Sequence, residues 1–442
     1  MTWKQVPFRE LGKWYGGGTP SKGNSGFWNG GEIPWLSPKD MGEPVLSGTR
    51  DHITPAAVAG SSVRWVPADS VAVVVRSGIL ERTLPVALVP FATTLNQDMK
   101  AVVAYAGVDP RWIAWGLRAQ EARLLRTTRK AGTTVASIEM QRFYGSTLPV
   151  PTLAEQRRIV EILEDHLSRL DAAQSTLSVS WRRLQGLRES LIETAVTGRD
   201  RPIGAHLIPL ADAMASDGDL PNLPEGWRWA RLADVADVVG GVTKDANKQA
   251  DPRFVKVPYL RVANVQRGHL RLEDVTSIRV APEKADALQL LPGDVLLNEG
   301  GDRDKLARGW VWEGEIPRCI HQNHVFRARI RGSLDPYFLS WTANTVGGRW
   351  AERNGKQSVN LASISLTMIK KMPVVVPPGQ ESTAIAARLG SQLDALALLD
   401  RSIERARARG AALRRAVLSA AFEGKLTGRH TDAEVIEEMA SV

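Results

Sequence analysis

The residues best spaced for chemistry in this 442-residue chain are two histidines, His321 and His324, in the segment CIHQNHVF. Three positions apart, they suit a metal site built on a helix. The apolar alternation of IHQNHVF reads instead as a strand, and no carboxylate cluster lies nearby, so a structural or hydrogen-bonding role is expected. Asp335-Pro336-Tyr337-Phe338 comes close to the Asn/Asp-Pro-Pro-Tyr motif that positions an exocyclic amine in amino-methyltransferases. It lacks the second proline and reads as a helix start, with Asp335 as cap and Pro336 in the first turn. The glycine-rich GGGTPS after Tyr15 lacks the strand, G-x-G-x-x-G, helix order of a dinucleotide fingerprint, and no G-x-x-x-x-G-K-[ST] phosphate loop occurs. Glu81, Glu299, Asp302 and Asp304 form no recognisable nuclease set. Neither a catalytic constellation nor a metal site is expected.

The single cysteine, Cys319, excludes a disulfide framework and any cysteine-based metal site, and so points to a reducing, cytoplasmic setting. The opening MTWKQVPFRELGKW lacks the charged-then-apolar order of a signal peptide, and no apolar run approaches the ~18 residues of a membrane span. A soluble, intracellular protein without membrane contact is expected. Net charge is +9, with an isoelectric point near 9.7. Lys plus Arg exceed Asp plus Glu by 17 to 11 in residues 1–150 and by 23 to 20 in 206–376; they balance at 8 and 8 in 151–205 and at 9 and 9 in 377–442. Basic segments alternating with neutral ones suggest that the basic parts meet a polyanion and the neutral parts meet protein. A merely soluble surface is the alternative reading of the same charge.

The neutral segments are what must position the rest. Between Glu155 and Gly198 apolar residues step by alternating three and four, at Val160, Leu163, Leu167, Leu170, Leu177, Leu184 and Leu191, which is a heptad seam. Gln174, Trp181 and Arg188 keep the register. A shift of 226 positions reproduces the stretch as Glu381 to Gly424, with Glu155 on Glu381, Leu163 on Leu389 and Gly198 on Gly424. Leu389, Leu393, Leu396, Ile403, Leu413 and Val417 carry the second seam. Such a repeat indicates internal duplication. Both helices end on a glycine stop, and Gly410 should weaken the second by ~1 kcal/mol. The acidic tail from His430 to Val442 reads as a short extra helix.

The two halves repeat more loosely. VAVVV at Val71 to Val75 and PVALVPF at Pro85 to Phe91 read as buried strands, and Pro110 to Arg126 as one amphipathic helix. IPWLSPKDM finds its counterpart in VPYLRVANV, 224 positions on, and VPADSVAVVVRSG in LPGDVLLNEGG. Between these anchors the halves diverge, as two readers on one architecture would.

In the order of GGGTPS, IPWLSPKDM and GTTVASIEMQRFYGSTLPVPTLAEQRRIVEIL, then a second half and a second helix ending AAFEGKLTG, the chain resembles the specificity subunit of type I restriction–modification systems. The junction PTLAEQRRIVEILE carries most of the likeness; the second junction departs from it in PPGQESTAIAARLG but keeps Glu381. The resemblance implies a mixed α/β fold: two globular α+β target-recognition domains alternating with two long helices that pair as an antiparallel coiled coil. Boundaries are expected at 1–150 and 206–376 for the domains, 151–205 and 377–428 for the helices, and 429–442 for the tail. Each domain would read half of a split, asymmetric site in double-stranded DNA. The helices would dock two modification subunits, with restriction or translocase subunits as further partners. No cofactor is expected on this chain, whereas S-adenosylmethionine, and ATP with magnesium, are expected on partner subunits.

Each helix of ~39 residues would span roughly 58 Å and set the half-site spacing. In an antiparallel pair centred near Gln174, that residue would face Asp400. Arg and Lys suit phosphate and guanine, Asn and Gln adenine. Loop candidates are therefore Lys22, Asn24, Lys39, Arg76, Arg82, Asn96 and Gln97 in the first domain. In the second they are Lys244, Asn247, Asn264, Arg303, Lys305, Asn323 and Lys356. The competing readings are a coiled-coil scaffold that binds proteins, and a self-contained DNA methyltransferase or nuclease.

Overall fold

A computed structural model of the chain describes residues 3–130, 134–199, 201, 217–218, 220–245, 249–250, 252–357, 362–426 and 432–441. It divides into a first unit, Met1–Ser178 with Ile403–Val442, and a second, Val179–Ser402. Each unit thus holds one end of each long helix.

In the first unit the valine-rich run Ser70–Val74 is buried at every residue, as a central strand covered on both faces must be. It lies between Met99–Ala104 and Val86–Val89, and Gly12–Gly16 closes that antiparallel sheet. A second sheet orders Asp51–Ile53, Ile33–Leu36, Thr93–Leu95 and Trp65–Val66, with Ile33–Leu36 and Thr93–Leu95 parallel. Where one helix was expected over Pro110 to Arg126 there are two, Pro110–Ala119 and Glu121–Thr128. Gln120 breaks them, at φ −99° and ψ 6°, and its amide donates to the Thr147 carbonyl at 3.1 Å.

The second unit repeats the plan. Ala236–Gly240, Val325–Ile330, Val295–Asn298 and Gly309–Val311 form one sheet; Thr276–Val280, Val255–Leu260 and Ile320–His321 form the other, its last pair again parallel. Asp335 caps the helix Pro336–Thr342, accepting from the N–H groups of Tyr337 and Phe338 at 2.9 and 3.2 Å. Burial pushes the Cys319 thiol up to about 12, which keeps it protonated and inert at neutral pH.

The long helices are Leu153–Thr197 and Glu381–Phe422. Gly198 and Gly424 follow them at φ +62° and +74°, the left-handed cap that favours glycine. In the first unit Val160, Leu163 and Leu167 are buried in one core with Val417 and Ala420. The partners Asp171 with Arg414 and Gln174 with Gly410 show the two segments to be antiparallel. Gln174 therefore faces Gly410 and not Asp400, because the 226-residue offset does not set which residues of the two helices lie opposite one another. In the second unit Leu184, Leu389 and Leu396 are buried, and Leu191 and Leu393 pack on the core as half-buried residues. Leu170, Leu177, Ile403 and Leu413 are half-buried too. The tail helix Asp432–Ser441 sets Ile436 into the first core and pairs Glu437 with Arg409 at 2.6 Å. No helix among the described residues is long and apolar enough to cross a membrane.

Candidate nucleic-acid interface

The same three loops meet in each unit, held by backbone bonds. The parallel strand pair ends in a turn, Asn96 to Met99 or Gln322 to Val325. The turn begins as Asn96 N–H donates to Leu36 O at 2.8 Å, matched by Gln322 N–H to Leu260 O at 2.9 Å. The glycine loop docks through Gly18 N–H to Leu95 O at 2.8 Å, matched by Val242 N–H to His321 O at 3.0 Å. The third loop is a 3-10 turn, Pro38–Asp40 or Val262–Asn264. Different aromatics tie the loops alike: Trp35 Nε1 donates to Gly18 O at 3.0 Å and the Tyr259 hydroxyl to Val242 O at 3.2 Å.

In the first unit these loops enclose a hollow of about 520 Å³ that brings Lys22, Lys39 and Asn96 together with Trp28 and Asp98. Trp28 stands edge-on to Trp35, with ring centroids 5.1 Å apart. Gln97 is exposed and accepts from Thr19, and Arg76 pairs with Asp98 at 3.0 Å. Arg82 is exposed at the end of the turn Gly78–Glu81. Asn24 caps its own turn, accepting from Gly26 N–H at 3.1 Å. Asn96 is only 9% exposed, and its carbonyl oxygen is bonded to Asp98 N–H at 2.7 Å.

In the second unit Asn323 lies beside His324, with 3.2 Å between Nδ2 and Nε2, and His324 Nδ1 meets Glu299 at 2.6 Å. Gly300–Gly301 follows Glu299 and shares a small sheet with Lys356–Gln357. Arg303 donates to the Glu352 carbonyl at 3.0 Å, and Lys305 pairs with Asp302, whose carboxyl it holds below the usual range. Lys244 is exposed, and Asn247 lies outside the described residues.

Asn264, a candidate base reader, is turned into the fold as a turn cap. It is 2% exposed; its oxygen accepts from Arg261 N–H at 2.8 Å and its amide donates to the carbonyls of Arg271 and Asp274. Asp40, its counterpart 224 positions earlier, does the same for Ser37 N–H at 2.8 Å, so the offset could have marked Asn264 as a turn cap. The offset also leads to Trp35 and Tyr259, which sequence reasoning passed over. The histidines separate: His321 is fully buried, with Nδ1 2.6 Å from the Val325 carbonyl, while His324 turns to Glu299. Among the described residues no group of three or more His, Cys, Asp or Glu could hold a metal ion.

Residues 1–177 match the family described as the type I restriction modification DNA specificity domain. Over 164 residues the chain is 47% identical to the EcoR124I/EcoR124II specificity subunit of Escherichia coli, covering 37% of this chain and 40% of that one. Over 347 residues it is 24% identical to the StySPI specificity subunit of Salmonella potsdam, covering 77% of this chain and 70% of the relative. The first 177 residues thus carry a type I DNA specificity domain. A solved chain from a study of complex assembly and conformational transition in a type I R-M system has the same fold. Its TM-score is 0.72 at 18% identity, with 96% of this chain and 98% of that one covered. The specificity-domain match stops inside the first long helix.

Proposed function

We propose that the chain is the non-catalytic, sequence-specific DNA-binding subunit of a type I restriction–modification complex, each globular unit reading one half of a bipartite asymmetric site. The observation that carries this reading is a loop framework repeated bond for bond in two units that present different side chains. Exposed Lys22, Lys39, Arg82, Lys244 and Lys356 suit phosphate. Gln97 and Asn323, at matched positions of the turn, suit adenine edges. The first long helix, of 45 residues, is ~68 Å long, close to two turns of B-DNA at ~34 Å each. The paired helices would thus set the spacing between half-sites. They would also dock two modification subunits: Trp181, Leu187, Leu398 and Leu399 are apolar helix residues left 36–59% exposed. S-adenosylmethionine would belong to those subunits, and ATP and magnesium to any cleaving subunit.

Methylome sequencing of cells with and without the chain tests the reading. A split asymmetric motif should gain methylation only when the chain is present. Gln97→Ala should relax one position in one half-site and Asn323→Ala one in the other. Lys22→Ala and Lys39→Ala should weaken all duplexes alike and lower the salt slope by about 1 each. Duplex binding indifferent to salt and sequence would favour a protein scaffold instead.

A further inference from the structure

The two junctions between globular part and long helix match under the 226-residue offset, except that side chains shrink in the second. In the first unit Glu164 clamps the neighbouring helix: its carboxylate accepts from Trp115 Nε1 at 3.0 Å and from Arg111 at 3.4 Å. The matched positions in the second unit are Gly390, Trp341 and Tyr337. Likewise Arg157, Val160 and Glu161 give way to Thr383, Ala386 and Ala387. A groove of about 1340 Å³ opens where these side chains are missing.

One wall of the groove is aromatic. Trp310, Tyr337 and Trp341 line it, with ring centroids 5.4 to 6.2 Å apart. Its charged lining comprises six carboxylates and three guanidinium groups. Arg349 is held by Glu193 through two bonds of 3.1 Å, and Arg267 by the carbonyls of Asn344 and Asp304 at 2.7 Å. Among the described residues Glu189, Glu352 and Asp394 carry no ion pair. A phosphate backbone is repelled by such a lining. A cationic segment with an apolar or aromatic anchor is complementary to it, because its charges meet the carboxylates while the anchor and any cation pack on the rings.

We infer that this groove receives a cationic, apolar-anchored segment of a modification subunit, a contact for which the first unit, closed by Glu164, has no counterpart. The inference rests on the reading of the chain as a specificity subunit. It requires the two modification subunits to be held unequally, the one at the second unit more tightly.

The test titrates the full chain with its cognate modification subunit and follows stoichiometry and affinity by sedimentation and calorimetry. A Cβ at Gly390 has nothing within 4 Å, so Gly390→Glu restores the clamp of the first junction without a clash and removes a helix-weakening glycine. The expected result is an unchanged or raised Tm, a tighter site weakened about tenfold, and a weaker site left alone. Glu189→Lys with Asp394→Lys should weaken the same site at low salt. Two equal sites in the wild type, or unequal sites that both variants leave untouched, overturn the groove alone. Variants that change duplex affinity and not subunit affinity make the groove a DNA contact and overturn it too. A wild type that binds no modification subunit overturns the underlying reading as well.

Discussion

Asp98 in the first unit pairs with Arg76 at 3.0 Å; at the matched place in the second unit His324 turns to Glu299 at 2.6 Å. Both turn residues offer the same backbone bond to the neighbouring strand, Asp98 O accepting from Val75 N–H at 2.9 Å and His324 O from Glu299 N–H at 3.0 Å. Only one member of each pair is at a matched place, since Arg76 is answered by Gly300 and Glu299 by Val75, so the side-chain pairing has been rebuilt while the main-chain bond is kept. Trp35 and Tyr259 likewise differ as side chains and make equivalent bonds. The lesson is that the framework is carried by peptide groups, which every residue supplies, so the side chains facing a ligand can change without cost to the fold.

The comparison breaks most sharply at two glycines. A Cβ on Gly17 would stand 1.9 Å from the carbonyl oxygen of Asn96, and one on Gly241 2.0 Å from that of His321. Neither obstacle is a side chain that can swing aside. Gly17→Val and Gly241→Val should each cost at least ~3 kcal/mol, confined to the unit that carries the change. Limited proteolysis resolved by unit is the check. Loss of both units in either variant would mean that they melt together and that the repeat is not two independently folded units.

A smaller and conditional difference lies one position before the turn, where the first unit has buried Leu95 and the second buried His321. Burial pushes the His321 pKa down to about 4; Arg327 acts in the same direction and Asp294 against it. The unfolded chain takes up this proton near 6.5 and the folded one does not, so the stability contribution is complete above ~6.5 and falls away as pH drops towards 4. The loss amounts to as much as about 3 kcal/mol and belongs to the second unit alone. Hydrogen exchange between pH 7 and 4.5 should show the second unit loosening first, and His321→Leu should remove the difference. Persistence of the acid effect in that variant would put its cause elsewhere.

The heptads, the 226-residue offset, the Asp335 cap and the glycine stops were legible because each is a periodic or local pattern. Lys22, Lys39 and Asn96 could be named as candidates but not placed together, since the hollow they share depends on a parallel pairing of Ile33–Leu36 with Thr93–Leu95 that leaves no local signal. Asn264 could be named from its polar type but not placed as a turn cap, because burial is a tertiary property and the type looks the same in a loop tip as under one. The break at Gln120 depends on the distant Thr147 carbonyl. The groove was present in the sequence as the departure PPGQESTAIAARLG, but only the first junction's clamp gives that run of small residues a meaning.

The helix seam offers the finest version of the comparison. Position 410 is glycine where the first repeat has Leu184, which is 7% exposed. Gly410 costs the second helix ~1 kcal/mol relative to alanine. A Cβ there would meet Gln174 Nε2 at 3.5 Å, ordinary contact, so nothing in the packing demands glycine. Gly410→Ala should therefore stabilise the first unit by ~1 kcal/mol, or ~2–4 °C in Tm. Gly410→Leu, which restores the residue of the other repeat, must displace the Gln174 amide and should gain less. A fall in Tm for the alanine variant would show that the two helices approach more closely at this point than at the Leu184 position, and that the pseudo-symmetry of the seam ends there.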